Sequence, residues 1–140
     1  MWTFKDKPVD SHDDLLPECT DFVYIITYFN DLKYIGKKAV RAVRKKPPLK
    51  GKKRVRRIMT NLPFVNYKGS HEGADSMVPV SKEILFQCSA RKAATYLEAE
   101  LLFENYVLFD DTYINENISG TFFKNSLEGL LEAHYEQLDT

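Results

Sequence analysis

Apolar and polar positions divide the chain into a strand-rich first part and a helical remainder. The run DFVYIITYF from Asp21 to Phe29 is dense in β-branched and aromatic residues, which favours a strand over a helix. Asn30 and Asp31 supply a turn and Leu32 to Gly36 a second short strand, so the two runs predict a β-hairpin. In the next segment Pro47, Pro48 and Gly51 break any long helix but leave room for short ones, for example over Lys52 to Thr60. Asn66 to Ser70 and the region of Gly73 and Pro79 read as loop, and Lys82 to Cys88 as a third strand. Residues 1 to about 20 are polar and acid-rich, carry Pro8 and Pro17, and predict an extended lead-in.

Helical spacing takes over after Cys88. Ser89 is a candidate N-cap for a helix from Ala90 to Phe109, with Ala90, Ala93, Ala94, Leu97, Leu101 and Leu108 along its apolar side. Ser126 likewise precedes a C-terminal helix whose stripe is Leu127, Leu130, Leu131, His134 and Leu138. His134 lies on that stripe and reads as a core or interface residue. The helix itself either packs on its own domain or supports a dimer.

At 140 residues, 44% hydrophobic and 29% charged, the chain suits one globular domain with its own core. No apolar run approaches the length of a membrane span. The N-terminus lacks the apolar core of a secretory signal, so a cytoplasmic location is expected. Cys19 and Cys88 form no CxxC pair, and Cys88 reads as a small core hydrophobe. His12, His71 and His134 are scattered, without metal-ligand spacing.

Net charge is zero, but its distribution is not even. Between Asp31 and Glu72 there is no carboxylate, while 14 of the 20 Lys and Arg residues lie there; the remainder carries 6 basic and all 20 acidic residues. Fourteen cations with no anion among them repel one another, which points to an anionic polymer as partner. Lys37, Lys38, Arg41, Lys45, Lys46, Lys50, Lys52, Lys53, Arg54, Arg56 and Arg57 are the candidate DNA-binding residues, within a basic segment spanning 33–57. No RNP motif or GXXG loop argues for RNA, so duplex DNA is the expected partner.

Three features can carry chemistry. Tyr24 and Tyr34 lie on successive strands of the hairpin, where their phenols can approach. Glu98 has Ala94, Leu101 and Leu102 as helical neighbours, and a carboxylate in an apolar arc requires a cation, a metal or a donor. Glu104 is similarly edged by Leu101, Val107 and Leu108, so periodicity does not separate the two; Glu100 reads as more solvated. Asn115 or Asn117, after the long helix, can fix a loop through amide hydrogen bonds.

ValTyrIle at 23–25 followed by TyrIleGly at 34–36 resembles the paired signature of the GIY-YIG nuclease superfamily. The order of hairpin, basic segment, third strand, glutamate-bearing helix and asparagine matches as well. TyrIleGlyLysLys, the run RKKPPLKG at 44–51, AsnTyrLysGlySer and the late TyrIleAsn are similar to phage-encoded members. The likeness spans residues 21–118; Phe22 stands where the family's first glycine would be, and the basic segment is proline-broken where many members have a helix.

The resemblance implies an α/β (α+β) domain on a small three-stranded antiparallel sheet flanked by helices. It implies that Tyr24 and Tyr34 are the two catalytic tyrosines and that Arg44, or else Lys38 or Arg41, is the catalytic cation. Tyr67 then holds the place of a family histidine or tyrosine, Glu98 is the metal-binding acid and Asn115 the late asparagine. The implied activity is a metal-dependent DNA endonuclease. A lone carboxylate ligand leaves its ion largely hydrated, which suits Mg2+ (or Mn2+) better than zinc. The rival readings are a non-catalytic nucleic-acid-binding module or an assembly protein that keeps the fold.

Overall fold

The computed structural model describes residues 1–139. A five-stranded sheet forms its centre, in the order β2 (Lys7–Val9), β1 (Trp2–Phe4), β7 (Pro79–Cys88), β3 (Asp21–Tyr28) and β4 (Lys33–Ala39). β3 (Asp21–Tyr28) pairs antiparallel with β4 (Lys33–Ala39) on one side and with β7 (Pro79–Cys88) on the other. Its central position explains its composition. Phe22, Tyr24, Ile26 and Tyr28 enter one buried cluster, while Val23 enters a second with Ile35, Ala94 and Leu102. These are the two faces that a period-two strand separates.

The hairpin and third strand lie where the sequence predicts them, but the sheet has five strands rather than three. The difference comes from the first twenty residues, which are not an extended lead-in. β1 (Trp2–Phe4) and β2 (Lys7–Val9) pair antiparallel, and β1 adds to β7 in parallel. Trp2 is fully buried, its ring tilted against Phe22 and edge-to-face with Tyr24, with its indole N–H donated to the Phe64 carbonyl. One large apolar side chain outweighs the polar composition around it.

The basic segment also departs from expectation. Over 52–60 there is no helix: β5 (Arg41–Lys46) and β6 (Arg56–Asn61) form a separate two-stranded ribbon whose tip carries Pro47, Pro48 and Gly51. Its root is tied to the body. The Arg41 guanidinium donates to the carbonyls of His12, Leu16, Pro17 and Cys19. His12 Nε2 lies 3.0 Å from the Val40 carbonyl and 2.8 Å from that of Leu62, and since both accept, this nitrogen carries the proton.

α1 (Arg91–Glu104) covers the second face and is shorter than its periodicity predicts. Its N-cap is Ala90, in extended conformation and without a side-chain bond, rather than Ser89, because the chain stays extended one residue longer. At the other end Asn105 donates its side-chain amide to the Leu101 carbonyl, and Tyr106 takes a left-handed φ of 52°, which stops the helix.

Beyond it, β8 (Asn117–Ile118) and β9 (Phe122–Phe123) make a small hairpin, followed by α2 (Lys124–Leu127) and α3 (Glu132–Glu136). The single C-terminal helix expected after Ser126 is therefore interrupted, with Gly129 at φ 74° between the pieces. His134 is exposed rather than a core residue, and Leu130 and Leu138 are exposed too. Cys19 and Cys88 are buried free thiols, and burial pushes the Cys19 thiol up to about 11. No helix of the described residues is long and apolar enough to cross a membrane.

Candidate active site

The hairpin register sets the first half of the site. Tyr24 is opposite Gly36 and Ile26 opposite Tyr34, so both tyrosines lie on one face, their ring centroids 6.2 Å apart. Gly36 is required by this packing. A Cβ there would sit 2.5 Å from the Tyr24 hydroxyl, 2.8 Å from its Cζ and 2.9 Å from Tyr34 Cε1. Gly36→Ala is accordingly expected to cost about 1–3 kcal/mol by overpacking and to displace the Tyr24 phenol; thermal melts and the activity assay below check both effects.

A long loop from β6 to β7 crosses this face and completes the aromatic cluster. Tyr24 donates its hydroxyl to that of Tyr67 at 3.1 Å, and Tyr34 shares a bond with Ser70 Oγ at 3.0 Å. Tyr28 donates to the Lys68 carbonyl at 2.5 Å and meets His71 Nε2 at 2.7 Å. The His71 ring packs on Tyr28 and Tyr34, at centroid distances of 5.4 and 4.8 Å. Lys82, buried against Trp2, donates its ammonium to the carbonyls of Val65 and Tyr67 and so fixes the loop from beneath.

The second half comes from the opposite layer. Glu98 is half-buried on α1, whereas Glu104 is exposed, so the structure separates two acids that periodicity could not. Lys37, on the α1 side of β4, donates to Thr95, one helical turn before Glu98. Glu98 and Tyr34 line one cleft of about 750 Å3 together with Ser70, His71 and Asn115. Asn115 itself is buried, accepting from the Ile35 N–H at 3.1 Å and donating to the Ile35 carbonyl at 2.8 Å. Its amide is consumed as a clamp on β4, directly beside Tyr34.

Burial dominates the electrostatics. Desolvation raises the Glu98 carboxyl above its ordinary value, partly offset by the Lys37 charge and main-chain N–H. The Tyr24 phenol is pushed far up by burial, with Tyr67, Tyr34 and Tyr28 adding to the effect. Tyr34 is raised by burial too, an effect eased by its bond to Ser70 and increased by the nearby Tyr67 and Glu98. The ribbon's cations do not favour a Tyr24 phenolate, because they project away from the sheet while Tyr24 is enclosed by apolar and aromatic groups.

The expected cations separate into three kinds. Lys38 has its ammonium 5.0 Å from the Tyr67 ring centre, at the aromatic cluster. Arg44 is exposed on β5, opposite Ile58 on the ribbon, and no contact joins it to the tyrosines among the described residues. Arg41 is committed to four carbonyls at the ribbon root and is not free to hold phosphate. Lys45, Lys46, Lys50, Lys52, Lys53, Arg54, Arg56 and Arg57 are all exposed on the ribbon and its tip.

Tyr28, Ser70, His71 and Lys82 were not singled out from the sequence. Tyr28 carried a usable signal, since it follows Tyr24 by four residues on a strand and must share its face. His71 carried none, because a loop brings it there.

As a donor set for an ion, the cleft is lined by three carboxylates, the half-buried Glu98 and the exposed Glu72 and Glu116, among neutral oxygens. No group of three or more His, Cys, Asp or Glu able to hold a metal occurs among the described residues. That set fits a hard, largely hydrated cation and does not fit zinc, which takes three or four protein ligands.

A family model described as "Putative endonuclease segE, GIY-YIG domain" matches residues 2–118, from β1 through β8. Comparison with curated proteins and with solved structures returned no match.

Proposed function

Because the chain belongs to this GIY-YIG endonuclease family, we propose that it hydrolyses phosphodiester bonds of duplex DNA with the help of a divalent ion, Mg2+ or Mn2+. One observation carries the reading: Tyr34 and Glu98, from opposite layers, line one cleft beside the Tyr24, Tyr67 and His71 cluster. Glu98 would hold the ion. There the ion would supply Lewis-acid stabilisation of the scissile phosphate and of the departing 3′ oxygen.

The chain's own groups orient the substrate. With phenolates disfavoured by burial, Tyr34 and Tyr24 act as neutral hydrogen-bond donors, Tyr34 directly into the cleft and Tyr24 through Tyr67. Lys38 supplies positive charge on the tyrosine side, which supports giving it the cationic role first expected of Arg44. Asn115 and Lys82 are positioning residues, the first for β4 and the second for the loop bearing Tyr67. The basic segment outside the cleft holds the DNA backbone.

Supercoiled plasmid incubated with the purified chain tests this proposal. Conversion to the nicked form is expected with magnesium, none with chelator, and roughly a hundredfold loss in Tyr34→Phe if its hydroxyl stabilises the transition state. Binding that persists without any nicking, in magnesium or in manganese, would leave a nucleic-acid-binding module instead.

A further inference from the structure

We propose that the β5–β6 ribbon enters the major groove of the duplex, using both of its faces. The inference rests on the duplex-DNA reading above and specifies how the substrate is held.

Residues 44–57 carry nine Lys and Arg, all exposed, and no Asp or Glu. Among the described residues the one ion pair is Lys124 with Asp111, and none of the nine takes part in one. The register makes this costlier. Lys45 is directly opposite Arg57, and Lys46 opposite Arg56. Like charges facing each other destabilise a strand pair, and a two-stranded ribbon is marginal in water even without them. The pattern suits a ribbon that works with anions around it.

Successive cross-strand pairs point to opposite faces. Lys46, Arg56 and Arg44 therefore lie on one face, Lys45 and Arg57 on the other. A ribbon resting on the outside of a duplex needs cations on one face only. The major groove, by contrast, surrounds whatever lies in it with phosphates on both sides.

Size agrees. Two strands about 4.8 Å apart, with their side chains, fit a groove about 12 Å wide and not the minor groove of about 6 Å. The deep, narrow major groove of duplex RNA excludes them as well. The root contacts of Arg41 and His12 hold the ribbon against the body, so an inserted ribbon fixes where the cleft meets the backbone.

Dimethyl sulfate probing of a 30-base-pair DNA duplex reads both grooves, since it alkylates guanine N7 in the major groove and adenine N3 in the minor. The full chain carrying Glu98→Gln, which keeps the duplex intact, is expected to protect guanine N7 over about six base pairs, the reach of a six-residue strand. Adding Lys45→Gln, Lys46→Gln, Arg56→Gln and Arg57→Gln should abolish that protection. It should also reduce the slope of log affinity against log salt by about 3–4. These changes remove repulsion, so the melting temperature should not fall.

Guanine N7 left reactive in the complex, or protected equally in the ribbon variant, would overturn the proposal. Plasmid nicking by the unmodified chain is a separate readout. N7 protection without nicking would retain the ribbon's role and remove the nuclease reading, and nicking without N7 protection would do the reverse.

Discussion

Glu98→Gln is expected to lower magnesium-dependent cleavage by roughly a thousandfold, the scale seen when a charge-stabilising group is removed from an active site, without lowering the melting temperature. The two halves of this expectation share one cause. Burial raises the Glu98 carboxyl, so between its ordinary and its raised value the folded chain holds a proton that the unfolded chain has released. Stability from this group is present below the unfolded value and lost as pH rises through the folded one.

At neutral pH the ionised side chain is therefore a net cost to folding, and glutamine avoids it while still accepting from the Lys37 N–H. Ion binding runs the opposite way with pH. The proposed ligand is the carboxylate, so the magnesium needed for half-maximal rate should rise as the medium is acidified, at a pH above that of an ordinary glutamate. Melting curves and magnesium titrations at several pH values check both. Cleavage retained in Glu98→Gln would remove the ion from this position.

Trp2→Ala is expected to be the most destabilising single change, by about 3–5 kcal/mol. That is a large part of the 5–15 kcal/mol that holds a typical domain. For a chain of this length it corresponds to a fall in melting temperature of roughly 10–20 °C. The indole is fully buried, caps the Phe22 and Tyr24 rings, donates to Phe64 and lies 4.8 Å from the Lys82 ammonium. Its loss loosens the loop that carries Tyr67 and His71 as well as the sheet, so cleavage should fall even below the melting transition. Removal of residues 1–9 should do at least as much. An unchanged urea or thermal transition would show that the first strand is an accessory to the fold.

Parts of this structure were legible in the sequence because local pattern decided them. Eight residues with β-branched and aromatic side chains on both faces have few solutions other than a central strand, and the Asn30-Asp31 turn fixed its partner. The order of Tyr24, Tyr34, Glu98 and Asn115 along the chain carried the family resemblance. What local pattern could not reach were contacts set by tertiary placement. β1 exists because Trp2 has a pocket between Phe22 and Tyr24, a fact about residues twenty positions away. The ribbon looked helical or irregular because lysine and arginine are indifferent to strand or helix, and its pairing is decided at the root by Arg41 and His12. The same holds for the cations: sequence order put Arg44 first, with Lys38 and Arg41 as its alternatives. Only folding committed Arg41 to carbonyls, moved Arg44 onto the ribbon and left Lys38 beside Tyr67.

The Asn115 clamp has a consequence beyond the cleft. With its amide on Ile35, and with the Lys33 N–H and carbonyl bonded to Thr112 and Ile114, the outer margin of β4 is already hydrogen-bonded. β2, at the far margin, is three residues long and contains Pro8, which has no N–H to offer. A stray extended chain thus finds little template on this sheet, and the ribbon's open margins are guarded by repulsion. Strand-by-strand aggregation is discouraged at these borders of the central sheet and the ribbon, by a side chain, by an imino acid and by charge.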